Sequence, residues 1–64
     1  MPVGSLKYLD YTYGFIKQND GPDVFVHVKD AASCGVVLVP GMRLSFDVLQ
    51  APRGPRAINI ALAP

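Results

Sequence analysis

Tryptophan is absent from the chain, cysteine occurs once, and neither sign of charge has a meaningful excess. Each lack closes off one way of building or using a small protein. With Cys34 as the only thiol there is no internal disulfide, and one cysteine beside one histidine makes no ligand cluster for a metal. Six basic residues against five acidic ones leave a net charge of +1, without the basic excess that marks a phosphate-dominated binder. No apolar run approaches the roughly 20 residues that span a bilayer. The N-terminus carries no basic segment followed by an apolar one, so no signal peptide is expected, and the lone thiol points to a cytoplasmic protein with no membrane partner.

What the chain does have is apolar residues, which make up half of its 64 positions. A single domain of residues 1–64 is near the lower limit for folding without staples, so those side chains must supply the whole core. Glycine and proline cut the chain into five strand-length segments: Gly4 to Leu9, Tyr13 to Lys17, Val24 to Val28, Arg43 to Leu49, and Arg56 to Leu62. A short connection, Asp10 to Thr12, joins the first two. Gln18-Asn19-Asp20-Gly21-Pro22 and Ala51-Pro52-Arg53-Gly54-Pro55 are rich in turn formers. Between the third and fourth segments, Asp30 to Ser33 has room for one helical turn ended by Gly35, followed by the apolar Val36 to Val39.

Alternation with period two supports this division. Val24, Val26 and Val28 share one face of the third segment, with Phe25 and His27 opposite. Leu44, Phe46 and Val48 share a face of the fourth, and Ile58, Ile60 and Leu62 a face of the fifth. Half-buried antiparallel strands with one apolar face each predict an all-β fold, a five-stranded antiparallel OB-like barrel closed to avoid free edges.

Rings then accumulate on the face the core does not need. Tyr13 and Phe15 lie on one side of the second segment, Phe25 and His27 on the outer side of the third, and Tyr8 extends the group from the first, with Lys7 beside it. A solvated sheet face seldom carries that many rings unused. Nucleobases stack on such rings at roughly 1–3 kcal/mol each, and Lys7 and Lys17 would meet phosphates at the edge.

Gly4-Ser5-Leu6-Lys7-Tyr8, Tyr13-Gly14-Phe15-Ile16 and Asp23-Val24-Phe25-Val26-His27 together resemble the cold shock protein family, and Pro40-Gly41 and Ala57-Ile58-Asn59-Ile60 continue the likeness. The second and third stretches are similar to its two RNA-binding motifs. The resemblance implies an OB-type barrel that binds single-stranded RNA and DNA, often as an RNA chaperone, on Lys7, Tyr8, Tyr13, Phe15, Phe25 and His27. The chain departs from the family pattern at Tyr8, usually tryptophan, and at Asp10, usually asparagine. It also departs at Val28 and Val36, where aromatics are common, and in a shorter first connection. Those departures imply lower affinity or a narrower ligand range.

No constellation for an enzyme is present: Asp10, Asp20, Asp23 and Asp30 read as turn and cap residues, and Cys34 as a small loop residue. No cofactor, metal or small-molecule substrate is expected. Arg53 and Arg56 flank the last loop as phosphate contacts or as ordinary solvated charge. The rival reading is a barrel repurposed for protein contact or self-association through the apolar face and Val36 to Val39. It is favoured by the near-neutral charge, and the short first connection raises a strand-swapped dimer beside the monomer.

Overall fold

The computed structural model describes residues 2–64. Strands β1 (Val3–Leu9), β2 (Tyr13–Gln18), β3 (Val24–His27), β4 (Arg43–Ala51) and β5 (Gly54–Leu62) close into a barrel in the order β1-β2-β3-β5-β4, and one short helix, α1 (Val28–Ser33), follows β3. Neighbouring strands pair antiparallel except at the closure, where β3 meets β5 in parallel at Phe25↔Arg56. The expected all-β OB-type barrel is the observed architecture.

Small aliphatic residues fill the interior, as a narrow barrel requires. Leu6, Ile16, Val24, Val26, Leu44, Phe46, Ala57 and Ile60 point inward and are buried, and Ala31 and Val36 plug one end. Phe46 is the one aromatic ring of this buried cluster. Phe15 and Phe25 are thereby released from the core, each lying opposite an inward aliphatic neighbour on its own strand.

Two bulges depart from strict alternation. On β1 the register shifts between Leu6 and Tyr8, so Lys7 and Tyr8 together oppose Phe15. A bulge of this kind turns two consecutive side chains outward. On β5, Asn59 adopts φ +51° beside a register shift at Ser45/Asp47 of the partner strand. The inserted residue reverses the face of everything after it. Ala57 and Ile60 are the inward residues there, Ile58 is half-buried, and Leu62 is exposed. Ile60 is inward as predicted; the predicted face is corrected at Ile58, because period two does not survive an extra residue, and at Leu62, which is exposed at the end of the strand.

The third strand also ends one residue early. Val28 donates its N–H to the Thr12 carbonyl at 3.0 Å and then opens α1 rather than continuing the valine face. His27, with extended backbone (φ −88°, ψ 134°), caps that helix through its own ring, which accepts from the Lys29 N–H. At the other end Gly35 takes φ +78° where the chain leaves the helix, as a residue without a Cβ does most easily. Of the segment that follows, Val36 and Leu38 turn toward the core, and Val37 and Val39 face solvent. Among the described residues no helix is long and apolar enough to cross a membrane.

Candidate nucleic-acid interface

Register brings the predicted rings together. Tyr8 on β1 lies opposite Phe15 on β2, Phe15 opposite Phe25 on β3, and Phe25 opposite Arg56 on β5. Three rings and a guanidinium thus stand in one row across four adjacent strands, about 15 Å end to end at the usual strand spacing. Tyr13 and His27 form a second, shorter row beside it. Gly14, between the two β2 rings, permits this closeness: a Cβ there would lie 2.5 Å from the Tyr8 carbonyl oxygen.

The rings support one another. Tyr13 stacks beside Phe25 (centroids 5.6 Å apart, planes 17°), and Phe15 meets Tyr13 and Phe25 edge-on at 5.8 and 5.9 Å. Tyr8 leans on Tyr13 and Phe15 at 5.9 and 6.3 Å, and His27 stands at 68° to Phe25 at 6.4 Å. Offset and edge-to-face contacts of this kind hold rings in place, so less side-chain entropy is lost when a flat ligand lands on them.

Charge around the face is mostly compensated. Lys7 stays on the outer surface, where its Nζ reaches Asp23 Oδ2 at 2.6 Å. Arg56 donates through Nε (2.9 Å) and Nη2 to Asp30 Oδ2, tying the end of the ring row to the first turn of α1. Lys17, Lys29, Arg43 and Arg53 have no acidic partner among the described residues. At the other rim the Asp10 carboxylate faces the Tyr8 hydroxyl (3.4 Å) and accepts the Tyr11 N–H at 2.7 Å. The nearby Asp10 charge, with Tyr13 adding to it, raises the Tyr8 phenol above its ordinary pKa.

All six residues singled out by sequence, Lys7, Tyr8, Tyr13, Phe15, Phe25 and His27, lie on this outer surface. A wall was missed. The β4–β5 hairpin turns on Pro52-Arg53 alone, and Ala51, Pro52, Arg53, Gly54 and Arg56 rise beside Phe15, Phe25 and His27 to enclose a groove of about 580 Å³. Its signal was present in the two arginines flanking a proline-bounded loop, but only the parallel closure at Phe25↔Arg56 brings that loop to the rings. Among the described residues no group of acidic, histidine and cysteine side chains could hold a metal.

Barrel and ring face together define an OB-type barrel with a row of aromatic side chains on its outer sheet surface. Comparison with known proteins agrees. Residues 3–63 match the family model described as the 'Cold-shock' DNA-binding domain. The cold shock-like protein CspA of Vibrio cholerae is 46% identical over 62 residues, covering 91% of this chain and 89% of that protein. Cold shock protein CspC of Bacillus subtilis is 39% identical over 66 residues, covering 98% and 100%. Cold shock protein 1 of Lactiplantibacillus plantarum is 40% identical over 63 residues, covering 94% and 96%. The chain belongs to the cold-shock domain family, whose members are nucleic-acid-binding proteins and not enzymes.

Proposed function

We propose that the protein binds single-stranded RNA and DNA by stacking bases on Tyr8, Tyr13, Phe15, Phe25 and His27, with Lys7 at the edge, and acts in the cytoplasm as an RNA chaperone. The observation that carries this reading is the row Tyr8–Phe15–Phe25, with Tyr8 exposed and both phenylalanines half-buried, on the outer face of a sheet whose interior is already filled. Three stacked bases at roughly 1–3 kcal/mol each supply up to about 9 kcal/mol toward offsetting the cost of association, and phosphate contacts add to that. Duplex is a poor ligand, because its bases already stack on one another. A strand held open on the rings cannot form its hairpin, which is chaperoning in physical terms.

Tyrosine emission reports binding directly, since there is no tryptophan and two of the three tyrosines lie in the ring cluster. Titration with a dT heptamer and its RNA counterpart gives saturable quenching that weakens with salt, and a duplex of the same length gives little. Equal response to duplex and single strand contradicts the stacking mode. A second reading, contact with a protein or a second copy, rests on the exposed Val37 and Tyr11 beside a small apolar groove. Apolar association of that kind does not weaken with salt, and sedimentation at rising concentration reveals it.

A further inference from the structure

The ring row uses β1, β2, β3 and β5 and leaves the Arg43 end of β4 idle. Positive charge reaches that end by another row. Ser5 on β1 lies opposite Lys17 on β2 and, on its other side, opposite Arg43 on β4. Three side chains thus stand in line across three adjacent strands, with the two cations about 10 Å apart at their Cα atoms. Alternation turns the line outward. Gly4, Leu6, Ile16 and Leu44 beside it are buried, Lys17 and Arg43 are exposed, and Ser5 is half-buried between them.

The polar groups of this row have no protein partners. Among the described residues no ion pair engages Lys17 or Arg43, and no hydrogen bond engages their side chains or the Ser5 hydroxyl. Carboxylates leave the row alone. Asp23 is held by Lys7, and Asp47 further along β4 accepts from Asn59 at 2.9 Å. Asp20, in the turn after β2, makes no ion pair. The next row outward, Val3, Ser45 and Ala61, is uncharged. Two free cations flanking a hydroxyl donor suit an anion.

Position decides which anion. Lys17 stands two residues from Phe15 on the same face of β2, about 7 Å along the strand. The backbone of a strand whose base stacks on Phe15 passes within reach of that lysine. From there the row leads away from the rings, over Ser5 to Arg43. A chain of phosphates already anchored on the rings meets both cations at high effective concentration, an advantage no free anion has.

We propose that Lys17, Ser5 and Arg43 form a phosphate track that carries a bound strand off the ring face, across β1 and onto β4. Strands longer than the ring face accommodates gain affinity through their backbone, whatever their sequence. The proposal rests on the single-strand reading above and extends it to a part of the barrel surface that bears no ring.

Length separates the track from the rings. The affinities of a dT heptamer, which the rings accommodate, and of a dT dodecamer are measured by tyrosine quenching over a range of salt. In the parent the dodecamer binds more tightly and with a steeper salt slope. Arg43→Gln leaves the heptamer unchanged and weakens the dodecamer several-fold at low salt. Its dodecamer slope is shallower by about 0.7, the share of one phosphate contact. Ser5→Glu places a carboxylate between the two cations and cuts the dodecamer's advantage as well. Lys29→Gln, the same loss of charge on α1, controls for net charge and affects the two lengths alike. A dodecamer whose outer linkages are neutral methylphosphonates loses the same increment in the parent and nothing further in Arg43→Gln. Dodecamer affinity and slope unchanged in a folded Arg43→Gln overturn the track and leave the ring reading standing. So does an equal loss in Lys29→Gln, or an equal fractional loss for both lengths in Arg43→Gln. Failure of the parent to bind the heptamer overturns the single-strand reading and the track with it.

Discussion

Replacing Gly14 by alanine tests the bulge that places Tyr8 among the rings. The backbone of Gly14 is not in the left-handed region, so the effect is one of space. An added Cβ would lie 2.5 Å from the Tyr8 carbonyl oxygen and 3.1 Å from Leu6 Cδ1. The carbonyl belongs to backbone, and relief requires β1 to retreat from β2 by about half an ångström or more. Overpacking of this kind costs about 1–3 kcal/mol, and a strained ladder hydrogen bond adds about 1. The sum, ~2–4 kcal/mol, is a large share of the ~3–10 kcal/mol expected for a domain of this size. Urea unfolding followed by circular dichroism reads it as a midpoint lowered by roughly 2–4 M at a slope of about 1 kcal/mol/M, the low end of the range and the one suited to so small a chain. Gly35→Ala is the control: an added Cβ meets nothing within 4 Å, and only its φ of +78° is penalised, at about 1–2 kcal/mol. A Gly14→Ala protein within about 0.5 kcal/mol of the parent would refute the close approach. So would a smaller loss there than at Gly35.

Three further outcomes follow from particular contacts. Asn59→Gly leaves stability within about 0.5 kcal/mol of the parent, because relief of φ +51° offsets the lost Asp47 hydrogen bond, whereas Asn59→Val loses about 2 kcal/mol or more in the same urea assay; equal losses speak against the bulge. Asp23→Asn frees Lys7 from its ion pair, so oligonucleotide affinity rises several-fold with a steeper salt slope, and an unchanged slope means Lys7 meets no phosphate. Asp10→Asn removes the charge that raises the Tyr8 pKa. Phenolate absorbance then develops at lower pH than in the parent, with Tyr8→Phe marking which signal is Tyr8, and an unmoved curve denies the Asp10 effect. The sign for stability follows from the raised folded-state value. The contribution is present below the ordinary tyrosine pKa of about 10 and is lost as pH climbs through the folded one.

The ring face was legible in the sequence because β2 and β3 alternate without interruption: Gly14 and Ile16 lie inward with Val24 and Val26, leaving Tyr13, Phe15, Phe25 and His27 outward. The strands were legible too, to within two residues at each end. What escaped lies where one residue is inserted or one backbone angle changes. Asn59 in the left-handed region reads in sequence as an ordinary outward asparagine, yet it moves Ile60 inward out of step with Ile58. Val28 fits the valine pattern, and its diversion into α1 depends on a cap made by the His27 ring, not by the short polar residues usually found there. The groove wall of Pro52 and Arg53 is a long-range consequence of barrel closure, which local pattern does not encode. Near-neutral net charge, which argued against a phosphate-led binder, has a structural counterpart in the Lys7–Asp23 and Arg56–Asp30 pairs.

The central claim is that bases stack on the outer ring row, and the most direct measurement is a titration of Phe25→Ala and Phe15→Ala beside the parent with the same heptamers. Both side chains lie outside the buried cluster, so the variants are first shown to be folded by circular dichroism. Loss of one stacking platform at roughly 1–3 kcal/mol weakens binding about 5- to 150-fold in each, with Tyr8 and Tyr13 still present to report it. Folded variants that bind as tightly as the parent would contradict the account and remove the ring face from the interface.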